Sequence, residues 1–89
     1  MKKYELTFVY QKDLKDVEKN LEKILDSVKA KIVKKEDWGV KKLAYAIKKQ
    51  TEAKYLYFEI ELEADKTKEL ENKIKLEENL LRYLIIAVK

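Results

Sequence analysis

From Lys3 to Tyr10 the large side chains fall on alternate positions, with Tyr4, Leu6, Phe8 and Tyr10 on one face and Glu5, Thr7 and Val9 on the other. A period of two is the pattern of a half-buried strand. From Leu14 the period lengthens. Leu14, Val17, Leu21, Ile24, Leu25 and Val28 form one stripe at helical spacing, Asp13 is placed to cap its start with Asp16 three residues on, and an amphipathic helix is expected over about 14–30. Ile32-Val33 and then Val40 to Ile47 predict a long second strand interrupted at Glu36-Asp37-Trp38-Gly39, where glycine inside a strand pattern marks a bulge or bend.

The polar run Lys49-Gln50-Thr51-Glu52 is expected to turn the chain into a third strand over Lys54 to Glu63. There Leu56, Phe58, Ile60 and Leu62 oppose Tyr55, Tyr57, Glu59 and Glu61. Asp65 is placed to cap a second helix reaching about Leu76, with Leu70 and Ile74 as its buried stripe. Leu80 to Val88 is apolar almost without alternation, as expected of a strand covered on both faces for part of its length.

The order is β-α-β-β-α-β, which predicts an α+β domain of ferredoxin-like split β-α-β topology across residues 1–89. Right-handed crossovers place both helices on one face of a four-stranded antiparallel sheet and leave the other face open. The length fits one small core: 89 residues suffice for one domain and are too few for two.

Composition narrows the chemistry. Without cysteine or histidine there is no disulfide, thiolate, imidazole ligand or imidazole base. The carboxylate pairs Glu36/Asp37 and Glu77/Glu78 are adjacent in sequence, so extended backbone splays them. Gln11-Lys12-Asp13-Leu14 lacks the glycines of an anion-cradling loop after the first strand. These features argue against an enzyme, a metal, a cofactor or a small-molecule substrate. No 18-residue apolar run and no signal-peptide pattern occurs, so a soluble cytoplasmic protein with no membrane partner is expected. A net charge of +4, from 21 basic against 17 acidic residues, leans toward a polyanionic partner without the excess of a basic tail.

On the open face an outward Arg82 brings Leu84 and Ile86 outward with it, beside Tyr55 and Tyr57. Small monomers seldom expose such a strip unless a partner covers it; surface β-propensity is the alternative. Lys54-Tyr55-Leu56-Tyr57-Phe58 loosely resembles a strand whose rings stack unpaired bases, and cross-strand packing of tyrosines is the simpler account. Lysines crowd the first strand's start and the middle strands. They read equally as a phosphate-contacting stripe and as a guard against strand-to-strand aggregation.

Trp38-Gly39-Val40-Lys41-Lys42-Leu43-Ala44-Tyr45-Ala46-Ile47-Lys48 strongly resembles the second strand of bacterial small-subunit ribosomal protein six. Lys2-Lys3-Tyr4-Glu5, Lys54-Tyr55-Leu56-Tyr57-Phe58 and Asn79-Leu80-Leu81-Arg82-Tyr83-Leu84 resemble the same family in the same order. The resemblance implies a non-catalytic, cytoplasmic protein of the small ribosomal subunit that binds the central domain of small-subunit rRNA jointly with ribosomal protein eighteen. It implies RNA contact at Lys2, Lys3, Tyr4, Lys41, Lys42, Lys48 and Arg82. Partner contact is expected at Trp38, Tyr45, Tyr55, Tyr57, Leu84 and Ile86.

The chain departs from the family pattern at Ala46, where proline is usual, and at Ala53, where glycine is frequent. With no proline and a single glycine, it also fits an engineered or reconstructed scaffold of the same fold without RNA binding. A ferredoxin-like oligomerisation module is the third reading, resting on Tyr55, Tyr57, Leu84 and Ile86.

Overall fold

The computed structural model describes residues 1–14, 16–47 and 49–88. Strand β1 (Lys2–Tyr10) leads into helix α1 (Val17–Ser27). Strands β2 (Lys31–Ile47) and β3 (Gln50–Leu62) form a hairpin. A short 3-10 turn at Ala64–Lys66 opens into helix α2 (Thr67–Lys75), and β4 (Leu80–Val88) closes the order. The strands lie in the sequence β2-β3-β1-β4, all pairings being antiparallel. This is the expected ferredoxin-like topology, with β2 and β4 at the two edges.

Alternation decides what each strand buries. Tyr4, Leu6, Phe8 and Tyr10 of β1 and Leu56, Phe58, Ile60 and Leu62 of β3 point to the helices, where they meet Val17, Leu21, Leu25 and Val28 from α1 and Leu70 and Ile74 from α2. Phe8 and Phe58 meet edge to face, centroids 5.9 Å apart. Leu14 and Ile24 only flank this core. The stripe therefore holds, but α1 is shorter than its pattern: the first residues after β1 form a turn, and Asp16, not Asp13, occupies the N-cap, with no side-chain cap bond. At the other end Lys29 takes a left-handed φ of 59°. The Ala30 N–H reaches the Leu25 carbonyl and the Lys29 N–H the Asp26 carbonyl, both at 3.0 Å. This pair of bonds is a Schellman stop, with lysine where glycine is usual.

Two further expectations change. Asp65 lies inside the 3-10 turn and caps nothing, α2 beginning two residues later. The β2–β3 turn is tighter than the expected four residues, because Ile47 already faces Gln50. Strand β4 is an edge strand with one face toward α2 and the other exposed, not a strand covered on both faces. Its apolar run reflects that open face.

Candidate binding face

The second strand is continuous, and its departures from regular pairing build the site. Asp37 pairs with Leu56 and Gly39 with Tyr55, so Trp38 is an extra residue. Gly39 carries φ 77°, the conformation expected at this bulge. Asp37 holds it: one carboxylate oxygen accepts the Gly39 N–H at 2.8 Å and the other lies 3.0 Å from Lys54 Nζ. Lys54, then the Gly39 N–H, hold the Asp37 carboxyl below its ordinary range.

The bulge shifts the alternation by one. Asp37 points to the helix side, Trp38 to the open face, and after the extra residue Lys41 shares that face; in a regular strand Asp37 and Lys41 would lie together. Trp38 lies flat on Tyr57, centroids 4.9 Å apart and planes 11° from parallel, with its Nε1 3.4 Å from Glu36. Lys41 Nζ sits 5.3 Å from the Trp38 ring centroid and 5.6 Å from that of Tyr55, within cation–π range. Tyr57 donates to Glu59 at 3.1 Å. Burial first, and that bond second, push its hydroxyl up to about 12.

A larger irregularity follows. Lys42 pairs with Glu52 and Ile47 with Gln50, leaving Leu43 to Ala46 opposite Thr51 alone. The surplus chain curls toward the far edge of the sheet, so that Tyr45 of β2 comes within 6.0 Å of the Arg82 guanidinium of β4. Leu43, Ala44, Tyr45, Ile47, Tyr55 and Arg82 line a cavity of about 200 Å³ there. Sequence reading did not single out Leu43, Ala44 or Ile47 as lining residues, since neither glycine nor proline signals the surplus.

The expected RNA-contact residues do not converge. Lys41 and Arg82 lie toward one end of the open face, on opposite edge strands, whereas Lys3 pairs opposite Glu61 and Val88, six residues along β1 from the Val9–Arg82 pair, about 20 Å away. Lys2 and Lys42 belong to the helix-side alternation. Tyr4 is in the core, its hydroxyl oxygen 3.0 Å from Thr67 Oγ1, so it is a packing residue and not a surface contact. Lys48 lies outside the described residues. Of the expected partner residues, Trp38, Tyr45 and Tyr55 gather beside Lys41 and Arg82. Tyr57 is roofed by Trp38, and Leu84 and Ile86 continue the same face along β4.

Charge pairing separates the lysines. Lys35 reaches Glu18 at 2.8 Å and Glu22 at 2.6 Å on α1, which raises its pKa. Lys34 neighbours Glu36 and Glu59, and Lys12 neighbours Glu52. Among the described residues Lys2, Lys3, Lys41, Lys42 and Arg82 have no carboxylate within 4.0 Å. Glu36 and Asp37 point to opposite faces, as their adjacency implies.

A four-stranded antiparallel sheet in the order β2-β3-β1-β4, with rings and cations gathered on one face, places the chain in the ferredoxin-like class of α+β domains. The chain belongs to the Ribosomal protein S6 family, whose model matches residues 3–87. It is 36% identical to small ribosomal subunit protein bS6 of Trichlorobacter lovleyi, over 99% of this chain and 76% of that protein. It is also 36% identical to bS6 of Pelagibacter ubique, over 100% and 78%. The crystal structure of 30S ribosomal protein S6 from Thermotoga maritima superposes with a TM-score of 0.86 at 27% identity, covering 98% of this chain and 87% of that one. An uncharacterized Thermotoga maritima protein, TM1266, shares the fold alone: TM-score 0.64, 16% identity, coverage 99% and 98%. Family membership makes this a small-subunit ribosomal protein without enzymatic activity.

Proposed function

We propose that the chain binds the central domain of small-subunit rRNA together with ribosomal protein eighteen. The observation that carries this reading is the juxtaposition of Lys41 and Arg82, two cations without carboxylate partners among the described residues, with Trp38, Tyr45 and Tyr55. Unpaired cations attract phosphates and release their counterions. Rings beside them supply flat apolar area for a protein or base to cover. Lys2 and Lys3 extend the positive surface beyond this end, so phosphates are met at separated points and the RNA is recognised by shape. Leu84 and Ile86 give the protein partner its apolar contact.

Titration of a central-domain rRNA fragment with the chain, with and without ribosomal protein eighteen, at two salt concentrations tests this. Affinity that rises when the partner is added and falls with salt is the expected result. Absence of partner-dependent binding at low salt overturns the reading and leaves a scaffold of the same fold.

A further inference from the structure

The two edges of the sheet are built differently. Strand β2 carries Lys31, Lys34, Lys35, Glu36, Asp37, Lys41 and Lys42, and its pairing is broken at three places. Charged side chains and bulges are the devices that keep an edge from pairing with another strand. Strand β4 has one of each, both at its start: a register shift at Leu81 and the single charge of Arg82. From Arg82 to Val88 it pairs with β1 without interruption. Among the described residues its outer edge has no strand neighbour, and Leu84, Ile86 and Val88 are 54%, 46% and 41% exposed.

We propose that this chain self-associates through β4, two copies joining their outer edges antiparallel about a two-fold axis at Leu84. The occupant is a second copy because the edge is complementary to itself. In that register Leu84 meets Leu84 of the second copy, and Arg82 of the second copy falls opposite Ile86. The next residue in the row is Glu5 of β1, which pairs with Ile86 on one side and Glu59 on the other. Glu5 thus faces a like charge directly across the sheet, an unfavourable arrangement. Among the described residues it has no cation within 4.0 Å. Two strand spacings, about 10 Å, separate its Cα from that of the incoming Arg82, a distance the long guanidinium side chain spans toward Glu5. The symmetry forms this ion pair twice.

Nine residues extend about 30 Å, and one strand pair over that length buries less than the roughly 1,000 Å² of a stable dimer. Association is therefore weak, with a Kd of about 100 µM.

Sedimentation velocity of the chain alone, without RNA or ribosomal protein eighteen, reads this independently of the proposed function. Mass at the monomer value at about 10 µM and approaching twice that at about 1 mM is expected. Amides on the outer edge of β4 should exchange more slowly at the higher concentration. Ile86→Lys, at an exposed position, should remain monomeric at both concentrations with an unchanged circular dichroism spectrum. Arg82→Glu should weaken association, and Arg82→Glu with Glu5→Lys should restore it. A monomer at both concentrations overturns the proposal, as does association that survives Ile86→Lys or leaves the β4 amides unprotected.

Discussion

The indole of Trp38 covers the ring of Tyr57 at 4.9 Å, and the pair exists because a one-residue bulge turns Trp38 and Lys41 to the same side of β2. Replacing Trp38 with alanine unroofs Tyr57. In the parent chain burial and the Glu59 bond raise the Tyr57 hydroxyl to about 12, from an ordinary value of 10.0. Absorbance titration should show late tyrosinate absorbance, of which Tyr57→Phe removes one component and Trp38→Ala moves that component back toward 10.0, while Tyr10, which burial also raises, stays late in both variants. A raised folded value means that the native state holds this proton more tightly. The associated stability is complete below about pH 10 and disappears as pH climbs through about 12. Denaturant midpoints of the parent and Tyr57→Phe should converge over that window.

Lys41 and Arg82 should act on RNA affinity through charge. Lys41→Ala and Arg82→Ala should each lower the slope of log affinity against log salt by about one, and weaken different RNA sequences equally. Lys35→Ala, which removes a lysine already engaged by Glu18 and Glu22, should leave the slope unchanged. Filter binding over a salt series measures all three.

Tyr4 separates packing from contact. The Thr67 hydroxyl has a single proton and lies 3.0 Å from the Ala64 carbonyl; donating there, it accepts from Tyr4. Tyr4→Phe should therefore cost about 1 kcal/mol of stability in urea unfolding and leave RNA affinity unchanged.

Lys29 offers the opposite sign. Its φ of 59° puts a Cβ-bearing residue in the left-handed region at the end of α1. Lys29→Gly relieves that strain while keeping both stop bonds, and should raise stability by about 0.5–1 kcal/mol. Gly39→Ala should do the reverse by about 1 kcal/mol: φ is 77° although no atom lies within 4 Å of the added methyl, so the loss is conformational. Thermal and urea melts of the two variants should move in opposite directions.

Much of this was legible in the chain because the core is patterned at two clean periods. Tyr4, Leu6, Phe8 and Tyr10 of β1, Leu56, Phe58, Ile60 and Leu62 of β3, and Val17, Leu21, Leu25 and Val28 of the helical stripe are buried as read, with Leu14 and Ile24 only flanking them, and the only glycine marks the bulge that aims Trp38. What the chain did not disclose were departures without a chemical marker. Nothing at Leu43-Ala44-Tyr45-Ala46 announces surplus residues, so the approach of Tyr45 to Arg82, across two intervening strands, was invisible. The apolar run of β4 has two physical origins, burial on both faces or a bare edge, and composition cannot separate them. At Tyr4 the alternation and the family resemblance pointed to different places, and the geometry follows the alternation: a tyrosine in register with Leu6 and Phe8 goes where they go.

The lysine-laden, thrice-broken border of β2 has a consequence for assembly size. A molecule able to pair on both flanks would polymerise into a ribbon, each newcomer offering a fresh flank to the next. Here one flank is sealed by charge and irregular register, so growth has nowhere to continue once two copies meet. If two copies pair through β4 as proposed, the seven charged side chains along the opposite border leave no second flank from which a ribbon could grow.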